Sequence, residues 1–331
     1  MELLCPAGNL NALRKAVDSG ADTVYIGFRD ETNARQFPGL NFTPEQAARG
    51  IEYAHQRGVR VLVTVNSYVQ AGGWRLWQQA VDEAARIGAD AVILADLGLL
   101  EYAAEHHPQL SRHLSVQASA TTPEALALYQ RRYGISRAIL PRVLSIQQVE
   151  ALAAETDVEL EVFGFGSLCV MAEGRCLLSS YATGESPNTV GACSPAWAVE
   201  WREVGAEREV RLGGLLIDRF APDEPAGYPT ICKGRYEVDG NLEHAFESPT
   251  SLETAELLPR LKRAGIQAVK IEGRQRSPAY VAQVTRIWRA LIDSIPAEGG
   301  DFRPDPDRIA ALREFSEGAT TTLGPYERKW Q

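Results

Sequence analysis

Methionine and cysteine are scarce in this sequence, and basic residues are fewer than acidic ones. Its 331 residues include 34 Lys and Arg against 43 Asp and Glu, so the formal net charge is −9 at pH 7. A surplus of negative charge argues against broad electrostatic attraction to nucleic acid or anionic lipid, since both are negatively charged. We therefore expect nucleic acid to be disfavoured as a ligand, although the total charge is compatible with a local basic patch.

Long apolar runs are also missing. No stretch approaches the roughly 18 apolar residues of a membrane-spanning helix. The start, MELLCPAGN, lacks the basic residues and the apolar segment of a secretory signal peptide. These absences predict a cytoplasmic protein without membrane spans. Thiols stay reduced in the cytoplasm, so cysteines that cluster in this chain indicate a metal site or catalysis rather than disulfides.

Short β-type runs alternate with helical patterns along most of the chain. The runs with strand character lie at 2–6, 22–28, 59–66, 90–96, 114–119, 137–143, 160–166 and 268–274. Their apolar character is typical of parallel strands that helices cover on both faces. Eight such strands favour a closed (β/α)8 TIM-like barrel, with an open doubly wound sheet as the alternative.

The alternation is interrupted after the seventh strand. Residues 167–249 contain four of the five cysteines, several prolines and glycines, and no clear helical pattern. We therefore predict a barrel of residues 1–166 and 250–299 with a cysteine-rich insertion at 167–249. Residues 300–331 are predicted to form a C-terminal extension with a short helix near 306–316.

Polar side chains at the ends of the predicted strands face one common mouth in a (β/α)8 barrel. They are Cys5, Arg29, Asn66, Asp96, Gln117, Arg142, Glu272 and Arg274. Of these, Asn66, Gln117, Arg142, Glu272 and Arg274 are the candidate substrate residues. Arg142 or Arg274 suits a carboxylate-bearing ligand, since a guanidinium can bind a carboxylate through two hydrogen bonds. Glu272 either orients Arg274, acts as an acid–base group or forms a structural ion pair. Asn66 and Gln117 either bind substrate or satisfy loop backbone.

The cysteines of the interruption are spaced C-x6-C-x16-C-x38-C. They are Cys169, Cys176, Cys193 and Cys232. Ligands on separate loops suit an iron–sulfur cluster, but this spacing alone leaves a zinc site with four cysteine ligands and four unrelated buried thiols open. A long segment with little regular structure would also be difficult to order without a metal. The remaining cysteine, Cys5, is expected to pack in the core rather than to act as a ligand or a nucleophile.

Four long motifs carry a resemblance to a known family. They are LLCPAGN, GSLCVMAEGRCLLSSYATGESPNTVGAC, GYPTICKGRY and VKIEGRQRSPAY. Through these motifs, almost the whole chain resembles the collagenase-like peptidase family, U32. Within that family, the tail TTTLGPYERKWQ is similar to the tail of a member that acts in ubiquinone biosynthesis.

This resemblance implies a barrel fold and an oxygen-sensitive 4Fe-4S cluster, with ligands that match Cys169, Cys176, Cys193 and Cys232. It implies a heterodimer with a paralogous iron–sulfur protein, UbiV, alongside a lipid-binding accessory protein, UbiT. Together they would support oxygen-independent hydroxylation of the ubiquinone ring precursor during anaerobic growth, with prephenate as a plausible oxygen donor. An RNA-modifying hydroxylase and a metal-stabilised peptidase are the alternatives.

The sequence weakens the peptidase alternative. The run VFGFGSLC has Phe163 and Phe165 in the stretch where many family members carry a histidine before the LC pair. The histidines, at 55, 106, 107, 113 and 244, have no ligand-like spacing, and neither a Ser/His/Asp set nor a His-Glu-x-x-His motif is evident.

Overall fold

The secondary structure alternates strands and helices on both sides of the insertion. The structure is a computed structural model that describes residues 1–36, 39–169, 176–224, 226–296 and 302–327. The strands are β1 (Glu2–Pro6), β2 (Thr23–Gly27), β3 (Arg60–Val65), β4 (Ala91–Leu94), β5 (Ser111–Leu114), β6 (Arg137–Ile139), β7 (Glu159–Ser167), β8 (Val199–Val204), β9 (Glu207–Leu212), β10 (Leu215–Phe220), β11 (Tyr236–Val238), β12 (Asn241–Glu243), β13 (Ser251–Glu253), β14 (Ala268–Ile271) and β15 (Thr321–Thr322). The helices are α1 (Leu10–Asp18), α2 (Pro44–His55), α3 (Trp74–Arg86), α4 (Leu97–His106), α5 (Pro123–Tyr133), α6 (Ile146–Ala154), α7 (Leu177–Thr183), α8 (Pro187–Val190), α9 (Leu258–Arg263), α10 (Pro278–Asp293) and α11 (Pro306–Glu314).

Strands β1 to β7 and β14 form a closed parallel barrel. Neighbouring strands pair in chain order from β1 to β7, and β14 pairs with both β1 and β7. Val269 lies opposite Leu3 on one side and opposite Val162 on the other, so the sheet has no open edge at this point. The predicted (β/α)8 fold is confirmed, and the alternative of an open doubly wound sheet is wrong.

Local sequence signals explain where several helices begin. Thr43 and Gln46 form a capping box at the start of α2, where Pro44 takes the first helical position. Ser145 and Gln148 form a second capping box at α6. These side chains satisfy backbone groups that the first turn of a helix leaves without partners, and they fix the chain direction after β2 and β6.

The fifth strand differs from its prediction at 114–119. It runs from Ser111 to Leu114, and residues 116–118 form a single 3-10 turn. Ser115 caps this turn by accepting a hydrogen bond from the Gln117 backbone, and Ser119 ends it in the left-handed conformation at φ 51°. Short polar side chains that bond to nearby backbone compete with strand pairing, so the strand ends earlier than its apolar pattern indicates.

The insertion has its own antiparallel sheet, β8 to β10, and a small hydrophobic core. The residues of that core are Ala182, Ala198, Val210, Leu212, Ile217 and Phe220. Helices α7 and α8 and the hairpin β11–β12 complete the described part. The prediction of no helix in this segment is therefore wrong. Because the segment buries apolar side chains of its own, its order is no argument for a bound metal.

The C-terminal extension attaches to the barrel beside the insertion. Strand β13 pairs antiparallel with β7, and β15 pairs parallel with β13. The helix predicted near 306–316 is α11, whereas the boundary proposed at 299 and 300 lies outside the described residues. Among the described helices, none combines the length and the apolar character that a bilayer crossing requires.

Candidate functional site

The barrel mouth encloses a cavity of about 550 Å³, counting space open to solvent. The five side chains favoured as a substrate site all line it, namely Asn66, Gln117, Arg142, Glu272 and Arg274. Others that line it are Tyr25, Arg35, Thr64, Phe163 and Lys270. The loops after β2, β3, β5, β6 and β14 thus supply most of its polar groups, as strand ends do in barrel enzymes.

Three further strand-end residues have structural roles. Cys5 is fully buried, its sulfur accepts a hydrogen bond from the Thr285 hydroxyl at 3.2 Å, and burial raises its pKa to about 12. Arg29 donates to the Leu40 carbonyl, and Asp96 caps α4. Cys5 is therefore a core residue with a protonated thiol, in line with the expectation for it.

Glu272 lies between two guanidinium groups. Arg142 Nη1 donates to its Oε2 at 2.7 Å, and Arg35 Nη2 donates to its Oε1 at 3.3 Å. Burial by itself raises the pKa of Glu272, but Arg142 and Arg35 outweigh burial and lower the pKa to about 2. The carboxylate is thus ionised at neutral pH, and in this cavity it positions arginines rather than donating a proton.

Arg274 carries binding capacity that the protein leaves unused. It is 4% exposed, its Nη1 donates to Thr64 Oγ1 at 2.9 Å, and no described carboxylate lies within ion-pair distance of it. Burial lowers its pKa to about 10. Gly27 makes the space, because a Cβ there would lie 2.4 Å from Arg274 Nη1. A buried guanidinium of this kind is poised to bind an anion.

Asn66 and Gln117 differ in the hydrogen bonds that their side-chain amides make. Asn66 accepts from the Ala34 backbone at 3.1 Å and donates to Ser115 Oγ at 3.2 Å, so it holds two loops in place. Gln117 is 5% exposed, and its Oε1 has no hydrogen-bond partner in the described chain. Of the two, Gln117 is therefore the one available to a ligand.

Among the described residues that line the mouth, cations outnumber carboxylates. Arg35, Arg142 and Arg274 lie there beside the Glu272 carboxylate, while Lys270 deeper in the barrel pairs with Glu161 at 2.8 Å. This local excess of cations occurs in a chain whose total charge is −9. The cavity is therefore suited to an anionic ligand such as a carboxylate.

Three of the four predicted ligand cysteines are electrostatic neighbours. Cys176 caps the start of α7, and Ser179 connects it to Cys193, because the Ser179 backbone N–H donates to Cys176 Sγ and its hydroxyl donates to the Cys193 carbonyl. Cys193 is exposed as a residue, but the protein around its thiol desolvates it and so raises its pKa, and the Cys176 thiol raises the pKa further. Burial likewise raises the pKa of Cys232, with added contributions from Cys193 and Cys176.

The loop of the fourth cysteine meets the loop of Cys232. Cys169 follows β7, and Lys233 Nζ donates to Ser167 Oγ at 3.3 Å. Thiols on loops that converge in this way are the donor chemistry of an iron–sulfur cluster. Among the described residues, no group of three or more Cys, His, Asp or Glu side chains is arranged to hold a metal ion.

The cysteine loops adjoin the cavity through Arg35. This guanidinium bonds to Glu272 at the mouth and also lowers the pKa of Cys193 against the larger effect of burial. Gly191 permits the approach, because a Cβ there would lie 2.3 Å from the Gln36 backbone nitrogen. The insertion is therefore seated directly against the β2–α2 loop.

Replacing Gly191 by alanine is expected to destabilise the protein more than replacing Gly184. Both glycines end helices in the left-handed conformation, at φ 73° and 75°, so both substitutions carry a conformational cost of about 1 kcal/mol. A Cβ at 184 has nothing within 4 Å, whereas at 191 it meets backbone. Thermal unfolding followed by circular dichroism measures both; equal losses would contradict the close contact.

Sequence reasoning missed Arg35, Gly27 and Lys270. Arg35 lies in a long loop after β2 rather than at a strand end, so no periodicity marks it. Gly27 is an ordinary strand residue in sequence, and only the packing of Arg274 against it gives it a role. Lys270 is the one whose signal was readable, since a lysine inside an apolar strand is rarely buried without a partner.

Comparison with known proteins places the chain among related sequences. A family model described as Peptidase family U32 matches residues 8–326. The tRNA hydroxylation protein P1 of Bacillus subtilis is 31% identical over 328 residues, which cover 97% of this chain and 70% of that protein. The tRNA hydroxylation protein P of Escherichia coli is 32% identical over 317 residues, covering 89% and 68%.

A third relative has a name that also refers to RNA. A 23S rRNA 5-hydroxycytidine synthase of Escherichia coli is 30% identical over 305 residues, which cover 91% of this chain and 41% of that protein. The chain thus spans between two fifths and seven tenths of these relatives. Their names give no support to the expectation that nucleic acid is disfavoured as a ligand, and that expectation stays a prediction.

Proposed function

Because this chain belongs to peptidase family U32, we propose that it takes part in an oxygen-independent hydroxylation as a subunit that carries a 4Fe-4S cluster. The proposed ligands are Cys169, Cys176, Cys193 and Cys232. Three relatives named for hydroxylation of RNA support the reaction class. The convergence of the cysteine loops beside the cavity supports the ligand set.

The acceptor in this proposal is the ubiquinone ring precursor. The four motifs and the tail TTTLGPYERKWQ are similar to those of UbiU, a ubiquinone-biosynthesis protein. The chain would then act in the cytoplasm as a heterodimer with the paralogous iron–sulfur protein UbiV, alongside the lipid-binding protein UbiT. An insertion with exposed apolar side chains near the cysteines, such as Leu177 and Trp197, is compatible with a protein partner on that side.

The single observation that carries the substrate side of the proposal is the buried guanidinium of Arg274, which bonds to Thr64 but forms no ion pair with a described carboxylate, in a cavity whose described lining holds more cations than carboxylates. A carboxylate-bearing oxygen donor, for which prephenate is the candidate, would bind Arg274. Arg142 stands across the same cavity but is already bonded to Glu272 at 2.7 Å. Gln117 would add a hydrogen bond, while Asn66 and Glu272 hold the loops and arginines in position.

The cluster, when bound, would supply the one-electron chemistry that side chains lack. The chain's own contribution is geometric and electrostatic. Arg35 lines the cavity and lies beside Gly191 of the insertion, so it connects the cavity with the segment that carries Cys193. Lys270 and Arg274, which also line the cavity, are 6% and 4% exposed, so solvent screens their charge interactions only weakly.

RNA hydroxylation is the second candidate, and the names of the relatives favour it. A single-stranded nucleotide could present its base to the same cavity, with Gln117 available to bond to the base edge. The total charge of −9 counts against extended contact with phosphates. A metal-stabilised peptidase is a third candidate, which rests on the family description and on two relatives named as a protease and a collagenase. The sequence counts against it, because neither a Ser/His/Asp set nor a His-Glu-x-x-His motif is evident.

Anaerobic purification with its natural partner tests the proposal. The protein is expected to be brown and to contain about four irons and four sulfides per chain. Deletion of the gene is expected to abolish ubiquinone synthesis without oxygen, to leave aerobic synthesis intact and to leave the pattern of hydroxylated RNA nucleosides unchanged. Colourless, zinc-loaded protein would refute the cluster, and loss of a hydroxylated nucleoside would favour the RNA alternative.

A further inference from the structure

Lys270 lies deep in the barrel beneath the arginines of the mouth. It is on β14, two residues before Glu272, and it lines the cavity although only 6% of it is exposed. Its Nζ lies 2.8 Å from Glu161 Oε1 and 4.0 Å from the centre of the Tyr25 ring. The function proposed above gives this amine no role.

Charged groups surround Lys270 on several strands. Glu161 is fully buried, and its other oxygen lies 3.8 Å from Arg137 without a hydrogen bond. Arg274 lies over the same Tyr25 ring, at 5.9 Å from its centre. Burial lowers the pKa of Lys270, Glu161 opposes this, and Arg274 and Arg137 lower the pKa again. Buried His113 is a further neighbour, and its pKa is lowered to about 3, so it adds no charge.

A structural ion pair is the ordinary explanation of a buried lysine and glutamate. Here the amine also borders a cavity, which a purely structural pair does not require. A desolvated lysine beside other cations is an arrangement that produces a nucleophilic amine, and Glu161 is placed to take its proton. The adjacent guanidinium, Arg274, has capacity left for a carboxylate.

We propose that Lys270 forms a protonated imine with the carbonyl group of a 2-oxo carboxylate whose carboxylate binds Arg274. Both side chains line the same cavity, with Lys270 Nζ 4.0 Å and Arg274 Cζ 5.9 Å from the centre of the Tyr25 ring. This shared lining is the basis for assigning adjacent carbonyl and carboxylate groups of one small ligand to them. The inference uses the anionic character of the cavity's ligand, but it depends on neither the cluster nor the identity of the hydroxylated acceptor.

The step is balanced without any further reactant. The Lys270 ammonium gives a proton to Glu161, and the amine nitrogen then bonds to the carbonyl carbon. The carbonyl oxygen leaves as water, which takes one proton back from Glu161 and a second from the attacking nitrogen, and a C=N bond replaces the C=O bond. The product cation occupies the place of the original ammonium, where the Glu161 carboxylate and the Tyr25 ring already stabilise positive charge.

Borohydride trapping with pyruvate as the probe tests the imine. The reductant converts an imine into a stable secondary amine, so the full-length protein is expected to gain one pyruvate-derived adduct that maps to Lys270. Lys270→Arg keeps a cation beside Glu161 and is expected to lose the adduct, whereas Lys262→Arg, at an exposed helix position, retains it. Arg274→Met is expected to raise the pyruvate concentration needed for trapping.

The outcome of the trapping experiment can be distinguished from the outcome of the test of the proposed function. The Cys176→Ala variant is expected to be trapped as readily as the parent protein, because the thiols take no part in the imine. A folded protein without an adduct at Lys270, or one labelled equally at Lys270 and Lys262, would overturn the inference. Either of those outcomes would leave the iron content and the hydroxylation unaffected.

Discussion

Replacing Cys176 by alanine is expected to remove both iron and sulfide, from about four of each per chain to nearly none. A 4Fe-4S cluster held by four thiolates would lose one of its ligands, and the loop that carries residue 176 would no longer be fixed to the cluster. Cys176 is the choice among the four because its place is defined by hydrogen bonds, since its sulfur accepts from the Ser179 backbone and the Ser179 hydroxyl donates to the Cys193 carbonyl. Iron and acid-labile sulfide analysis after anaerobic purification measures the effect. Anaerobic quinone synthesis is expected to stop, with aerobic synthesis unchanged.

Two further variants separate ligand loss from misfolding. Cys176→Ser keeps a side chain that can cap α7, where the cysteine sulfur now accepts from the Ser179 backbone at 3.4 Å. It is expected to fold and still to lose most of the iron. Cys5→Ala changes a buried cysteine of the barrel and is expected to keep the full iron content. Full iron in Cys176→Ala, or equal loss in Cys5→Ala, would contradict the ligand assignment.

Replacing Arg142 by leucine is expected to lower the free energy of unfolding by about 3 to 5 kcal/mol, because it leaves the Glu272 carboxylate poorly compensated in the cavity. Chemical denaturation measures this loss. The matched control is Arg132→Leu, which breaks an exposed pair with Glu101 and is expected to cost less than about 1 kcal/mol. A double change, Arg142→Leu with Glu272→Leu, is expected to recover part of the stability.

The dependence of the free energy of unfolding on pH, below neutral pH, tests the same Arg142–Glu272 pair. The pKa of Glu272 is about 2 in the folded protein and about 4.3 in an unfolded chain. A folded-state pKa below the unfolded value adds stability that is complete above about pH 4.5 and is lost as the pH falls towards 2. Removing Arg142 raises the pKa of Glu272, so this loss is expected to shrink. An unchanged acid profile in Arg142→Leu would show that Arg35 alone fixes the charge.

The barrel could be read from the sequence because each strand and helix carries its own pattern. Apolar runs such as 60–65 and capping signals such as Thr43 with Gln46 are local, and they specify their elements before any packing occurs. The insertion could not be read in this way. Its strands have mixed charged and apolar faces, and the core around Val210 and Phe220 depends on contacts between distant segments.

Part of the candidate site could likewise be predicted from the sequence, and part could not. Arg142, Glu272 and Arg274 follow barrel strands, so topology alone brings them to one mouth, and the structure places all three on one cavity. The sequence does not show which of these side chains form ion pairs with one another. The sequence suggests Glu272 with Arg274, whereas the structure pairs Glu272 with Arg142 and Arg35. Which side chains form an ion pair depends on the distances between them across the cavity, and local sequence patterns do not predict those distances.

The order of strands along the chain has a consequence for protein synthesis. A ribosome makes β14 only after the whole insertion, and the barrel cannot close before β14 joins β7 to β1. The nascent chain therefore carries seven strands with an unsatisfied edge while about a hundred further residues, 168–267, emerge. Because the insertion has its own small hydrophobic core, it can fold during that interval without packing against the unfinished barrel.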